Sequence, residues 1–73
     1  MGKEFILRGE TIDLFKLLKA AGMCDSGADA KQVIEHGLVQ VNGVTETRKA
    51  CTIRAGQVVT YHGESITVRS ARS

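Results

Sequence analysis

The sequence predicts an α+β fold in which two helices pack on one side of a small, mainly antiparallel sheet of about four to five strands. Two changes of pattern predict it. Between residues 11 and 36, apolar residues recur every three or four positions, as in amphipathic helices. After Gly37, apolar and polar residues alternate, as in half-buried strands.

The first elements are a short strand and a helix. Phe5 to Leu7 is an apolar run with aromatic and β-branched members, which favours a strand. The helix begins after Thr11, whose hydroxyl can cap it, and ends at Gly22. Its core side is expected to consist of Ile12, Leu14, Phe15, Leu18 and Ala21.

A second helix opens at Ser26, where the following Asp29 resembles the last position of a capping box. It ends at Gly37. Its core side is Ala30, Val33 and Ile34, and the opposite face carries Lys31, Gln32 and Glu35.

The remaining chain reads as strands joined by tight turns. Asn42-Gly43 between alternating residues predicts a hairpin, because both central turn positions need positive φ. Further turns are expected at residues 55–57 and at His62-Gly63, and residues 69–73 are expected to form a frayed tail.

Composition limits the function. The 73 residues, 42% of them hydrophobic, suffice for one domain spanning residues 1–73. Chains this short rarely enclose a substrate cleft and the residues that organise it, so we do not expect an enzyme. No apolar run approaches the roughly 20 residues that span a bilayer, and no cleavable leader is visible, which predicts a cytoplasmic protein without membrane contact.

Metal, cofactor and redox chemistry have little support. Cys24 and Cys51 are far apart, form no CxxC pair and have no histidine at metal-ligand spacing. We expect two buried or half-buried thiols, no metal and no cofactor; a disulfide in an exported protein is the alternative. His36 and His62 lie at a helix end and a turn, without a nucleophile beside either.

Positive charge is concentrated in the second half of the chain. Residues 1–36 carry five bases and six acids, whereas residues 37–73 carry five bases and two acids. Arg48, Lys49 and Arg54 follow the predicted hairpin, and Lys31 lies on the second helix. A local positive potential of this kind fits a polyanionic partner, although solubilising surface charges would have the same composition. With few aromatic residues, stacking of successive bases is disfavoured, and backbone recognition of structured RNA or duplex is expected instead.

The order of these motifs resembles the S-four RNA-binding domain, named after small-subunit ribosomal protein four. The similarity spans residues 12–59. The residues that carry it are Ile12 to Leu18, Gly22, Ser26 to Ile34, Gly37 to Gly43 and Ala55 to Val59.

The resemblance implies a site. Domains of this family occur on ribosomal proteins, pseudouridine synthases and a tyrosyl-tRNA synthetase, where they dock structured RNA through the second helix and adjoining strand loops. By position, Lys31 matches the basic site on that helix, and Arg48 and Lys49 belong to the flanking loop. Gly27 stands where members often have a phosphate-binding arginine. The combination of Ser26, Gly27, Ala30 and Lys31 with the run Glu46 to Lys49 is most similar to a small stand-alone bacterial, ribosome-associated branch.

We therefore expect a monomeric module that binds the phosphate backbone of ribosomal or transfer RNA, with the ribosome as a further candidate partner. The expected RNA-binding residues are Lys31, Arg48, Lys49 and Arg54, with Asn42 and Gln32 as additional polar contacts. The alternative is a protein-interaction module that docks on a ribosome-associated or RNA-processing partner.

Overall fold

The computed structural model describes residues 2–71, which form two helices and seven strands. The α+β class is confirmed. In chain order the elements are β1 (Gly2–Leu7), β2 (Thr11–Asp13), α1 (Leu14–Ala20), α2 (Gly27–Glu35), β3 (Val39–Val41), β4 (Val44–Thr45), β5 (Thr52–Arg54), β6 (Val58–Tyr61) and β7 (Glu64–Ser70).

The strands form two sheets. The larger is five-stranded, in the order β1-β7-β6-β3-β4, and the smaller pairs β2 with β5. Every pairing is antiparallel except that of β1 with β7, which runs parallel from Gly2 beside Ser65 to Leu7 beside Ser70. The predicted sheet is thus confirmed as mainly antiparallel, with the β2–β5 pair as a separate ribbon.

One cluster of buried apolar side chains joins the helices, the ribbon and the larger sheet. On α1 the buried side is Leu14, Leu17 and Leu18. Leu17 is fully buried, although the predicted core side did not include it. Phe15, Ile12 and Ala21, which it did include, are partly buried and pack against this cluster. The other fully buried members include Ala30, Ile34, Val39, Ile53, Val59, Ile66 and Val68.

The predicted cap of α1 is wrong. Thr11 lies in β2, and α1 begins three residues later, after Asp13, whose side chain makes no capping hydrogen bond. The first helical N–H groups instead donate to carbonyls from a distant part of the chain. Leu14 donates to Cys51 at 2.9 Å, and Phe15 donates to Lys49 at 3.2 Å. The segment between β4 and β5 therefore caps this helix.

The start of α2 is as predicted. The N–H of Asp29 donates to the Ser26 hydroxyl at 3.2 Å. Ala30 and Ile34 are buried, Val33 is partly buried, and Lys31, Gln32 and Glu35 are exposed. The helix thus presents a polar face to solvent, beginning one turn from its capped end.

Both tight turns of the larger sheet are confirmed. Asn42 and Gly43 have φ of 53° and 82°, and His62 and Gly63 have φ of 54° and 78°. The expected frayed tail is wrong for Arg69 and Ser70, which extend β7 because β1 supplies partners for them. Residues 72 and 73 lie outside the described part. Within residues 2–71, neither helix is long and apolar enough to cross a membrane.

Candidate nucleic-acid interface

Lys31 is held above an aromatic ring. Its ammonium lies 4.7 Å from the centroid of the Phe15 ring, and that of Lys16 lies 5.9 Å from the same centroid. The negative face of the ring attracts the cation, so Lys31 leans from α2 toward the start of α1. Lys31 has no carboxylate partner among residues 2–71.

Lys49 reaches the same helix face from the other direction. Its ammonium lies 3.1 Å from Oε1 of Glu35, which is one turn along α2 from Lys31. Its carbonyl accepts the N–H of Phe15, the residue whose ring lies under Lys31. Lys31 and Lys49 therefore both lie beside the outer face of α2, Lys31 over the Phe15 ring and Lys49 against Glu35.

Arg48 is placed by a local arrangement around Glu46. Oε2 of Glu46 accepts the N–H groups of Thr47 and Arg48, each at 3.1 Å, and Nε of Arg48 at 3.2 Å. The N–H of Cys51 then donates to the Arg48 carbonyl at 3.2 Å, which turns the chain toward β5. The Arg48 side chain remains 80% exposed. Glu46 thus shapes the loop while leaving the guanidinium accessible.

These bonds favour the ionised form of Glu46. The bond from the Arg48 side chain, followed by that from the Arg48 backbone, holds the pKa of Glu46 below its ordinary value. The same contact raises the pKa of Arg48. Near neutral pH the loop therefore keeps both charges.

We call Lys31, Arg48 and Lys49 the basic face. Two carboxylates, Glu35 and Glu46, offset part of its charge. However, the Lys49–Glu35 pair is about half exposed on both sides, and such pairs contribute little free energy. A phosphate can therefore replace Glu35 as the partner of Lys49 at small cost, while Lys31 is already free to bind one.

Three other sequence-predicted residues are placed differently. Arg54 lines a separate cleft beside Arg8. Gln32 borders a cleft with Asp25 and Asp29, carboxylates that repel phosphate. The third residue is Asn42. Its Oδ1 accepts the N–H of Val58 at 2.9 Å, so its side chain links the β3–β4 turn to β6.

The two thiols are not set up as nucleophiles. Burial and the nearby Asp29 and Asp25 raise the pKa of Cys24, and burial and Glu46 raise that of Cys51. A raised pKa keeps each group in its less reactive protonated form. Both are free cysteines, as the sequence analysis expected. Among residues 2–71, no group of three or more histidine, cysteine or carboxylate side chains is arranged to hold a metal ion.

Comparison with known proteins places the chain in a family. The family model described as the S4 domain matches residues 5–69. The chain belongs to the S4 domain family. This is the family that the sequence resembled, and membership points to a binding module rather than an enzyme.

Individual S4 domain relatives support the assignment. The chain is 49% identical over 57 residues to YbcJ of Escherichia coli (strain K12), covering 78% of this chain and 81% of YbcJ. The solution structure of YbcJ matches with a TM-score of 0.71 and 45% identity, over 90% of this chain and 85% of that one. A tyrosine–tRNA ligase from Ralstonia nicotianae is 36% identical over 58 residues, 80% of this chain but 15% of the ligase.

Several residues that organise the basic face were missed by sequence reasoning. Phe15 was assigned to the core, Glu35 to the solvated side of α2, and Glu46 only to the family motif. The contacts of Phe15 and Glu35 join positions 14 to 34 residues apart, so no local spacing reports them. The proximity of Glu46 to Arg48 was visible, but its bonds to successive backbone N–H groups depend on the loop conformation.

Proposed function

We propose that this S4 domain is an RNA-binding module whose basic face binds the phosphate backbone of structured RNA of the ribosomal or transfer class. The observation that carries the proposal is the convergence of Lys31 and Lys49. Lys31, on α2, lies over the Phe15 ring, and Lys49, in the 46–51 loop, pairs with Glu35 one turn further along α2. The Lys49 carbonyl also accepts the N–H of Phe15, which holds the loop against the start of α1. Cations from two elements at one point can contact neighbouring phosphates.

The relatives support the same function. The solution structure of YbcJ is described as revealing an ALFAL motif involved in RNA-binding. The name of the Ralstonia relative, tyrosine–tRNA ligase, includes transfer RNA, and the matched region is 15% of that protein. A small basic domain that accompanies a larger enzyme or acts alone fits a docking role on RNA.

The chemistry of the face favours backbone recognition over base stacking. Phe15 is partly buried, and its ring is engaged by Lys31, so it offers no open surface for a base. The available groups are ammonium and guanidinium donors, which bind phosphate oxygens without regard to sequence. The expected partner therefore presents closely spaced phosphates in a defined shape.

The proposal is tested by salt-dependent binding to bulk transfer RNA, measured by fluorescence anisotropy. Lys31→Ala/Lys49→Ala should weaken binding and flatten the slope of log affinity against log salt by about 1.5 to 2, because about two phosphate contacts are lost. The matched control is Lys3→Ala/Arg69→Ala. It removes the same charge from two exposed ion pairs on β1 and β7 and should change the slope less.

Two outcomes would contradict the proposal. Equal effects of the two double variants would mean that only net charge matters, and the basic face would have no special role. Absence of binding to transfer RNA, or binding that is insensitive to salt, would contradict phosphate recognition. The alternative of a protein-docking module predicts salt-tolerant binding to a protein partner, with a negative heat-capacity change. Circular dichroism should show that both variants are folded, since all four side chains are exposed.

A further inference from the structure

A cleft of about 470 Å³ lies where β1 and β7 end. One wall is formed by Arg8, Gly9 and Glu10, in the connection that follows β1. The other includes Arg54 and Ala55, at the end of β5. Two arginines from distant parts of the sequence thus border one concave surface, whose lining includes none of the residues that form the basic face.

These arginines differ from the others that the structure describes. Arg48 and Arg69 each form an ion pair, with Glu46 and Glu4. Within residues 2–71, Arg8 and Arg54 have no carboxylate partner, even though Glu10 borders the same cleft. Both are exposed. Their guanidinium groups are therefore available to an external anion.

The backbone on both sides of the cleft is well anchored. Arg54 pairs with Thr11 across the ribbon, and its N–H donates to Oε1 of Gln57 at 2.6 Å. Arg8 directly follows Leu7, which is 2% exposed and pairs with Ser70. Because the chain is anchored at Arg54 and directly before Arg8, binding an anion would mainly order the two side chains, which reduces the entropy lost.

The cleft is close enough to the basic face for one RNA to reach both. Lys49 and Arg54 are five residues apart, so their Cα atoms are separated by at most about 18 Å even if the segment is fully extended. The whole molecule measures 33 × 21 × 19 Å. A folded RNA that binds Lys49 therefore has other backbone segments within reach of Arg54.

We propose that Arg8 and Arg54 form a second phosphate-binding site, which takes a separate backbone segment of the same RNA. Arginine suits this role because its planar guanidinium can donate two parallel hydrogen bonds to a phosphate. The carboxylate of Glu10 opposes the bound phosphate and sets a limit on its affinity. This inference rests on the proposed function, and it adds a second point of contact to it.

The first test removes the two arginines. Arg8→Ala/Arg54→Ala is compared with Lys3→Ala/Arg69→Ala in the same salt titration with bulk transfer RNA. The cleft variant should weaken binding roughly ten- to a hundredfold at low salt and flatten the salt slope by about 1.5 to 2, beyond the control. Arg54→Gln serves as a second variant if the double variant is poorly folded.

The second test predicts a gain in RNA affinity instead of a loss. Glu10→Gln removes the carboxylate from the cleft and should strengthen RNA binding about threefold or more. Glu64→Gln is its control, because it removes the same charge from an exposed pair with Lys3. An equal gain in both variants would reflect only net charge, and would overturn the site.

The results separate this inference from the proposed function. If Lys31→Ala/Lys49→Ala weakens binding and Arg8→Ala/Arg54→Ala matches the control, the basic face stands and the second site is wrong. If the cleft variant alone has an effect, the RNA binds at the cleft and the proposed face is wrong. If both double variants flatten the slope of log affinity against log salt, and the two effects add in the quadruple variant, the RNA contacts both sites.

Discussion

At the scale of single residues, Glu46 organises the loop that carries Arg48 and Lys49. It accepts two backbone N–H groups and the Arg48 side chain, and its pKa is lowered by them. A carboxylate in this position stabilises the loop only while it is ionised. The placement of Arg48 should therefore depend on pH.

The first prediction concerns this carboxylate. Because the folded-state pKa of Glu46 lies below its unfolded value, its contribution to stability is present above the unfolded pKa and is lost as pH falls through the folded pKa. Glu46→Gln should therefore lose less unfolding free energy than the wild type between about pH 5 and pH 3. Denaturant unfolding at several pH values measures this; parallel curves for the two proteins would contradict it.

Some local conformations could be predicted from the neighbouring residues alone. Ser26 caps α2, Gly37 ends it and Asn42 forms the hairpin turn, as predicted, because each of these conformations depends on a few neighbouring backbone atoms. Thr11 does not cap α1, because the N–H groups at the start of α1 find carbonyls in the 46–51 loop. These distant carbonyls replace a side-chain cap, and the sequence around Thr11 contains no sign of them.

At the scale of elements, α2 carries Lys31 and has Gly27 at the position where the resemblance to the S-four family implies an arginine after the capping serine. Gly27 occupies that position as the first residue of the helix. A Cβ placed there would lie 3.8 Å from Cδ2 of Phe15, an ordinary van der Waals distance. The helix therefore accommodates a Cβ at this position, which lies at the start of α2, one turn before Lys31.

The second prediction follows from this space. Gly27→Arg should raise RNA affinity about threefold to tenfold, because it adds a guanidinium next to the basic face. It should not lower the melting temperature, since replacing glycine in a helix offsets the weak repulsion of a cation near the helix N-terminus. Gly27→Gln is the neutral control. Equal affinities of the two variants would show that RNA does not reach this end of α2.

The β3–β4 hairpin gives a third prediction. Asn42 has positive φ and its side chain accepts a bond from Val58, so it links the turn to β6. Asn42→Ala should reduce the free energy of unfolding by about 1 to 3 kcal/mol, from backbone strain and the lost hydrogen bond. Urea denaturation measures this. RNA affinity of the folded variant should be unchanged; a loss would make Asn42 an RNA contact after all.

At the scale of the whole molecule, hydropathy pattern predicted the class because each element has one apolar side and one shared core to bury it in. It did not predict that β1 runs parallel to β7, or that β2 and β5 form a ribbon of their own. Those pairings join residues far apart in sequence. The same is true of the cleft, because Arg8 and Arg54 line one surface only after folding. Lys31 and Lys49 were grouped in advance, but only through the resemblance to the family.

The capping of α1 by the 46–51 loop has a consequence for dynamics. A seven-residue helix is marginal by itself, so its first turn depends on the loop that supplies acceptors for Leu14 and Phe15. A ligand that reduces the motion of this loop should slow deuterium uptake at the amides of Leu14 and Phe15, even without touching them. Hydrogen exchange at the first turn of α1 would then report whether a ligand occupies the basic face.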